Sequence, residues 1–506
     1  MNLVALADET LQTFGEYPFL IFDDRTYTNK QIIQEATRLA GSLQNLGVKK
    51  GDPVIVMLPN CPEVIISYQG ILRSGGVIVP LIPLMNEKEL THILANCEAV
   101  AMITSRDIFL KNENMLRNNK TLRNIIQSGD DVPSGTLSIS QLINEPPVVN
   151  ALPAIGEEDL AVILYTAGTT STPKGVMLTH KNLYSNAVNA ARSHDTQSSD
   201  ITLVALPLSH SFGLTSMNKA YKYGNLHVLM RKFQPEEAFR LIEKHKVTDF
   251  PGVPAMFITM LNSPEAQKYD LSSLQSCLSG AAPFPVASLL AFQKKFNCTV
   301  YEAYGLSEAS PAVSTNYHNR LTKPGSIGQP IPEVEVRIVD EQDKDVPTGE
   351  VGELLVKGPN VSAGYYKLPD ETSKTFRNGW LYTGDMARMD QDSYLYIVER
   401  KKDLIIRGGF NIYPRDLEEI LYQHPAVKDA VAIGIPDPVM GEEIKLYVVL
   451  KEGTRTTPEE IRKYCQGQLA KNKWPEHIEF LDILPRNPMG KILRKELRKR
   501  NSLEKT

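Results

Sequence analysis

Short, wholly apolar runs alternating with helix-periodic stretches leave this 506-residue chain few choices of fold. Pro53 to Leu58 contains no polar residue. A run like that is buried on both faces, which occurs where a parallel sheet is covered by helices on either side. Before it, Ile32, Ile33, Ala36, Leu39, Ala40, Leu43 and Leu46 recur at helical spacing. Thr28 with Gln31 gives that helix a capping-box start, and Gly47 suits its stop. After it come a helix-like run at Pro62–Leu72, a strand at Val77–Leu81, a helix start at Asn86 with Glu89, and a strand at Val100–Thr104. Strand and helix in alternation predict an α/β fold with a mostly parallel sheet.

The alternation resumes at Leu160 and continues to about Val300, which predicts a second α/β unit. Its expected strands are Thr202–Leu206, Leu226–Leu229, Asp249–Gly252, Leu274–Ser279 and Thr299–Glu302, with helices at Glu236–His245 and Ala287–Phe296. Residues 106–150 are polar and irregular and read as a surface excursion. After about residue 320, Gly325, Gly328, Gly349, Gly352, Gly358 and Gly364 punctuate short alternating runs, the pattern of a small β subdomain or barrel. Past Arg400 a smaller α+β unit is expected: helix Pro414–Gln423, strands Val427–Gly434 and Ile444–Leu450, and a helix at Thr457–Leu469 capped by Thr457 with Glu460. The charged segment Glu399-Arg400-Lys401-Lys402-Asp403 marks the boundary, so the expected domains are 1–399 and 400–506.

A net charge of −4 gives no bulk reason to expect a nucleic-acid partner. Five scattered cysteines, odd in number and never spaced CxxC, suit a reducing compartment. The first ten residues lack a basic start and turn acidic, which makes a poor signal peptide. The most apolar stretch, Gly76 to Met85, is interrupted by Pro80 and Pro83 and is too short to span a bilayer. These features predict a cytoplasmic protein without an integral membrane segment.

At the end of the Leu160–Leu164 run stands Tyr165-Thr166-Ala167-Gly168-Thr169-Thr170-Ser171-Thr172-Pro173-Lys174-Gly175. Two glycines, four threonines, one serine and one lysine make an anion cradle of backbone N–H groups, hydroxyls and an ammonium. It is not a Walker loop, because Gly175 follows the lysine where Ser or Thr would stand. In parallel α/β sheets ligands sit at the carboxyl ends of strands, and this loop leaves its strand there.

The loop resembles the phosphate signature of the adenylate-forming superfamily, which comprises acyl-CoA synthetases, luciferases and peptide-synthetase adenylation domains. It departs from the usual pattern at Ala167, where a serine is typical, and at Ser171, where a glycine is typical. Four further segments match that superfamily in order. Tyr301-Glu302-Ala303-Tyr304-Gly305-Leu306-Ser307-Glu308 is similar to its Tyr-Gly-x-Thr-Glu motif. Trp380-Leu381-Tyr382-Thr383-Gly384-Asp385 is similar to its ribose motif. Glu399–Asp403 followed by Arg407-Gly408-Gly409-Phe410-Asn411-Ile412-Tyr413-Pro414 is similar to its hinge. Pro485-Arg486-Asn487-Pro488-Met489-Gly490-Lys491 is similar to its mobile-lysine loop.

The resemblance, which spans about residues 10 to 500, implies roles residue by residue. ATP or AMP would meet Thr166, Gly168, Thr169, Thr170, Ser171, Lys174, Gly280, Ala281, Glu302, Ala303, Tyr304, Ser307, Asp385, Arg400 and Lys491. The catalytic set would be Lys491, Glu308, Ser307 and Lys174, with Glu308 for Mg²⁺. His210, Phe212 and Ala281 would shape an acyl pocket; Lys232, Gly408 and Gly409 would meet CoA; Lys402 falls on the hinge. The implied fold is a large N-terminal domain of two α/β subdomains plus a small β-barrel, and a C-terminal lid that rotates. The implied reaction joins a carboxylic acid to CoA with ATP, releasing AMP and pyrophosphate. Gly358-Pro359-Asn360-Val361 and Gly364-Tyr365-Tyr366 most resemble medium- to long-chain fatty acyl-CoA synthetases. Two alternatives stand beside it: loading a carrier-protein phosphopantetheine, and nucleotide binding by a regulatory protein without chemistry. The acyl group and the oligomeric state, a homodimer included, are left open.

Overall fold

The structure is a computed structural model that describes residues 1–144, 152–166, 172–486 and 491–503. Strands β1 (Pro18–Phe22) and β2 (Arg25–Thr28) form a hairpin near the start of the chain. The first large sheet then takes β3 (Pro53–Met57), β4 (Val77–Pro80), β5 (Ala101–Thr104), β6 (Asn124–Gln127), β7 (Leu137–Ser138), β8 (Leu160–Thr166) and β9 (Lys174–Thr179). Their spatial order is β7-β6-β5-β3-β4-β8-β9, parallel except for β9. Every residue of β3 is buried, as its uninterrupted apolar run requires.

The second sheet takes β10 (Ile201–Val204), β11 (Leu226–Leu229), β12 (Asp249–Gly252), β13 (Ser276–Ser279), β14 (Thr299–Gly305), β15 (Ala312–Thr315) and β16 (Gln329–Pro330). Its order is β16-β15-β14-β13-β12-β10-β11-β1-β2. The N-terminal hairpin therefore belongs to the second sheet: β1 runs parallel to β11, with Leu20 opposite His227. One large core packs the first sheet against the second through Leu39, Ile65, Leu164 and Leu214, with Phe19 stacked on Tyr221 at 4.6 Å.

Residues 106–144 correct the expectation of a surface excursion. A helix, Arg106–Arg117, buries Phe109 and Leu116, and β6 and β7 extend the first sheet. The helix shows only a narrow stripe to the core, so its composition reads as polar. The rest of the expected excursion, 145–150, lies outside the described residues.

An antiparallel sheet of β17 (Glu335–Val339), β18 (Gly352–Lys357), β19 (Phe376–Arg377), β20 (Trp380–Met389) and β21 (Leu395–Arg400) is the small β unit expected from the glycine spacing. Beyond it, β22 (Ile405–Arg407), β23 (Phe410–Ile412), β24 (Val427–Asp437), β25 (Gly441–Leu450) and β26 (His477–Phe480) form a sheet with its own core on each face. The capping boxes read at Asn86/Glu89 and Thr457/Glu460 are both formed. Thr28 caps its helix by accepting from the Gln31 N–H, while the Gln31 side chain turns to Glu35 instead.

Candidate active site

A cavity of ≈1560 Å³ opens where the carboxyl ends of β8, β13 and β14 converge. Thr166, Lys174, Gly280, Ala281, Ala303, Tyr304, Ser307 and Glu308 line it, as do Arg400, Lys402 and Lys491 from the C-terminal side. Sequence positions more than three hundred residues apart are thus brought to one wall.

Lys174 opens β9 and lies opposite Thr166 in the β8–β9 hairpin. Its ammonium pairs with Glu371 at 2.5 Å and lies 5.3 Å from the Tyr365 ring centre. The Tyr365 hydroxyl donates to Glu308 Oε1 at 2.9 Å. Tyr365 is held there because residues 363–366 pair with β9: the Met177 N–H donates to the Gly364 carbonyl, and the Tyr366 N–H to the Gly175 carbonyl. The hairpin tip, including Gly168, Thr169, Thr170 and Ser171 with the unusual Ala167, lies outside the described residues.

Asp385 is buried in the middle of β20. Its carboxylate accepts from the Tyr304 hydroxyl at 2.5 Å and pairs with Arg400 Nε at 3.0 Å. Asp385 does not itself line the cavity; Tyr304 and Arg400 do. The Lys491 amine is pulled down to about 8, first by burial and then by Arg400 and Lys402, against the pull of Asp385 and Asp403. A neighbouring anion would relieve that penalty, which suits the lysine to a phosphate-bearing ligand.

His210 caps the helix Ser211–Tyr223, its Nδ1 accepting from the Phe212 N–H at 3.3 Å. Burial holds its imidazole down to about 4, so it is neutral. His210, Phe212 and Ala281 share one wall of the cavity, and Ala281 adopts a φ of 69°.

Besides Asp385, four expected site residues do not line this cavity. The Glu302 side chain is turned away to accept from the Gly325 N–H at 2.7 Å, because its two neighbours on β14, Tyr301 and Ala303, take the cavity side and a strand alternates its faces. Burial raises its carboxyl to about 7. Lys232 is exposed beyond the end of β11. Gly408 and Gly409, with φ of 57° and 81°, make the turn of the β22–β23 hairpin away from the cavity. Residues that sequence reasoning passed over complete the site. Arg494 spans Glu418 at 2.6 Å and Glu399 at 3.4 Å, and Arg498 meets Asp403 at 2.9 Å. These ion pairs fix the C-terminal helix Arg494–Leu503 against β21 and the segment after it. No local signal marks them, since each joins acids and bases far apart in sequence.

Among the described residues no group of three His, Cys, Asp or Glu could cage a metal ion. The Glu308 carboxylate, which lines the cavity beside Ser307 and accepts from Tyr365, nevertheless fits Mg²⁺, which is commonly held by one or two carboxylates plus substrate phosphates.

Two family models match the chain: AMP-binding enzyme over residues 7–366, and AMP-binding enzyme C-terminal domain over residues 416–491. The chain belongs to the AMP-binding enzyme family. A long-chain-fatty-acid–CoA ligase of Bacillus subtilis (strain 168) is 40% identical, with 98% of this chain and 94% of that one covered. Among solved structures, the anthranilate CoA ligase AuaEII in complex with anthranoyl-AMP superposes with a TM-score of 0.94 at 28% identity, covering 100% of this chain and 98% of that one. ATP-bound MatB from Rhodopseudomonas palustris gives 0.91 at 30% identity, covering 99% of each. The fold is therefore that of the adenylate-forming enzymes, with a large N-terminal part and a smaller C-terminal one. No helix among the described residues is long and apolar enough to cross a membrane.

Proposed function

We propose that this AMP-binding enzyme is an ATP-dependent acyl-CoA synthetase acting on fatty acids. The observation that carries the reading is the single cavity in which Lys491 and Arg400 of the C-terminal side face Lys174, Ser307 and Glu308 of the N-terminal side. In the first half-reaction a carboxylate oxygen of the acid attacks the α-phosphorus of ATP. The bond from that phosphorus to the bridging oxygen breaks, and pyrophosphate leaves. Lys491 balances charge at the α-phosphate, Ser307 donates to it, and Lys174 exchanges Glu371 for the outer phosphates. Arg400 and Tyr304, both anchored by Asp385, orient the ribose and adenine. Mg²⁺, held by Glu308, would neutralise phosphate charge. Catalysis here is positioning plus charge stabilisation and needs no side-chain nucleophile.

In the second half-reaction the CoA thiol loses its proton, its sulfur attacks the acyl carbonyl, and AMP leaves. The Gly408–Gly409 turn lies off the cavity while Lys491 lines it, so the C-terminal part, residues 400–506, turns about Lys402 between the two steps. The N-terminal domain is 1–399, and the site is cytoplasmic.

The test is to incubate the purified chain with ATP, Mg²⁺ and fatty acids and to measure AMP, pyrophosphate and thioester with free CoA or with a panel of carrier proteins. Acyl-CoA is expected. Thioester on carriers alone would transfer the reading to a carrier-loading ligase, and no pyrophosphate with any acid would end it.

A further inference from the structure

The cavity extends well beyond the phosphate site. It follows one face of the second sheet, roofed by the helices His180–His194 and Ser211–Tyr223. Along β13 and just past its end the cavity is lined by Ser276, Leu278 and Gly280, alternate positions that share a face, and by Cys277 between the first two. Ser211, Thr215 and Lys219 line it from the roof, one helical turn apart. From Gly280 to Ser276 the path is about 13 Å at a strand's rise. From Ser211 to Lys219 it is about 12 Å at a helix's rise.

The middle of this path is apolar, passing Pro251, Leu278 and Phe212. Its far end is not. His227, Thr202, Asp249 and Ser276 lie opposite one another in register across β11, β10, β12 and β13. They form one polar row, and all four line the cavity. Ser276 Oγ donates to Asp249 Oδ1 at 2.8 Å, Thr202 Oγ1 to Asp249 Oδ2 at 3.4 Å, and Asn225 Nδ2 to Thr202 Oγ1 at 3.1 Å. Asn225 Oδ1 is buried without a hydrogen-bond partner. Above the row stands Lys219, for whose ammonium the structure gives neither an ion pair within 4 Å nor a hydrogen bond among the described residues. Burial lowers its basicity, against the opposing pull of Asp249 and Asp200, which both line the same chamber.

An unsubstituted alkyl end pushed into this chamber would strip water from an ammonium and a buried carboxyl and return no hydrogen bond, which is unfavourable. An oxygen there would accept from Lys219. Building on the acyl-CoA synthetase reading, we infer that the substrate is an acid with an oxygen function at its far end, a hydroxyl or a second carboxylate received by Lys219 and the Thr202–Asp249–Ser276 row. Four residues of extended backbone contain twelve bonds, so the path suits an aliphatic chain of roughly ten to twelve carbons with its terminal oxygen.

The test compares kcat/KM for decanoate, 10-hydroxydecanoate and decanedioate by pyrophosphate release from the full chain. The oxygenated acids are expected to exceed decanoate by about tenfold or more, since sites built to hydrogen-bond a group discriminate strongly against its absence. Lys219→Met is expected to erase that preference while decanoate improves. A lead for decanedioate assigns the end group to ionic pairing with Lys219; a lead for 10-hydroxydecanoate assigns it to the hydroxyl-bearing row. Decanoate equal to or better than both in the unmodified protein overturns the inference, whatever the variant does, and leaves the synthetase reading standing. Absence of pyrophosphate with all three and with every other fatty acid refutes that reading and this inference with it.

Discussion

Lys491 offers the sharpest test of the site's electrostatics. Its amine stands at about 8 in place of the ordinary 10.5, chiefly because burial removes water and then because Arg400 stands nearby. That displacement corresponds to about 3 kcal/mol of lost charge stabilisation. A group lowered in this way keeps its proton below about 8 and loses it above. If the ammonium balances charge at the α-phosphate, kcat/KM for adenylation is flat up to about pH 8 and then falls towards tenfold per pH unit. Because kcat/KM reports the free enzyme, phosphate binding does not mask the limb. Lys491→Arg keeps its charge throughout and is expected to abolish the limb while lowering the plateau, because a planar fork replaces a compact ammonium. Lys491→Met is expected to lose adenylation by a hundredfold or more without a lower Tm, since it removes a poorly solvated charge. The assay is ATP–pyrophosphate exchange from pH 6 to 10. An alkaline limb that persists unchanged in Lys491→Arg would refute the assignment, as would full exchange activity in Lys491→Met.

Three other outcomes follow from the geometry. Asp385→Asn removes the carboxylate shared by Tyr304 and Arg400, and the ATP KM is expected to rise by roughly ten- to a hundredfold, the worth of a charged hydrogen bond; an unchanged KM argues against the anchoring role. Arg494→Met leaves Glu399 and Glu418 buried without their shared cation, a loss of about 3–5 kcal/mol, visible as a lower Tm by calorimetry, whereas an unchanged Tm would show the pairing to be energetically idle. Gly213→Ala places a methyl 2.2 Å from the Pro207 carbonyl oxygen, so the Tm is expected to drop and the wall at His210 and Phe212 to shift, read as a higher KM for the acid; a variant with native Tm and KM would show that the turn yields freely.

Local patterns carried much of the fold into the sequence. The strand Pro53–Met57 is legible because burial on both faces forbids polar residues, and the capped helices at Asn86 and Thr457 because their caps are made within four residues. The motifs at Tyr301–Glu308, Trp380–Asp385 and Lys491 stood out because each packs several chemical groups into a few positions. The helix Arg106–Arg117 was not legible, since a narrow buried stripe of Phe109, Asn112 and Leu116 is diluted by polar neighbours.

The sequence by itself determined the alternating α/β plan, the ordered motifs and the residue types that meet a nucleotide. Only the tertiary structure decided which of them meet. It placed β1 beside β11, turned Glu302 away from the cavity, gave Lys174 its partner Glu371, and set His227, Thr202, Asp249 and Ser276 in one row beneath Lys219. The reason is physical. Helical period, strand alternation and caps act over a few residues, whereas parallel register and buried ion pairs join positions tens to hundreds of residues apart, and nothing in the local pattern encodes which strand will lie next to which.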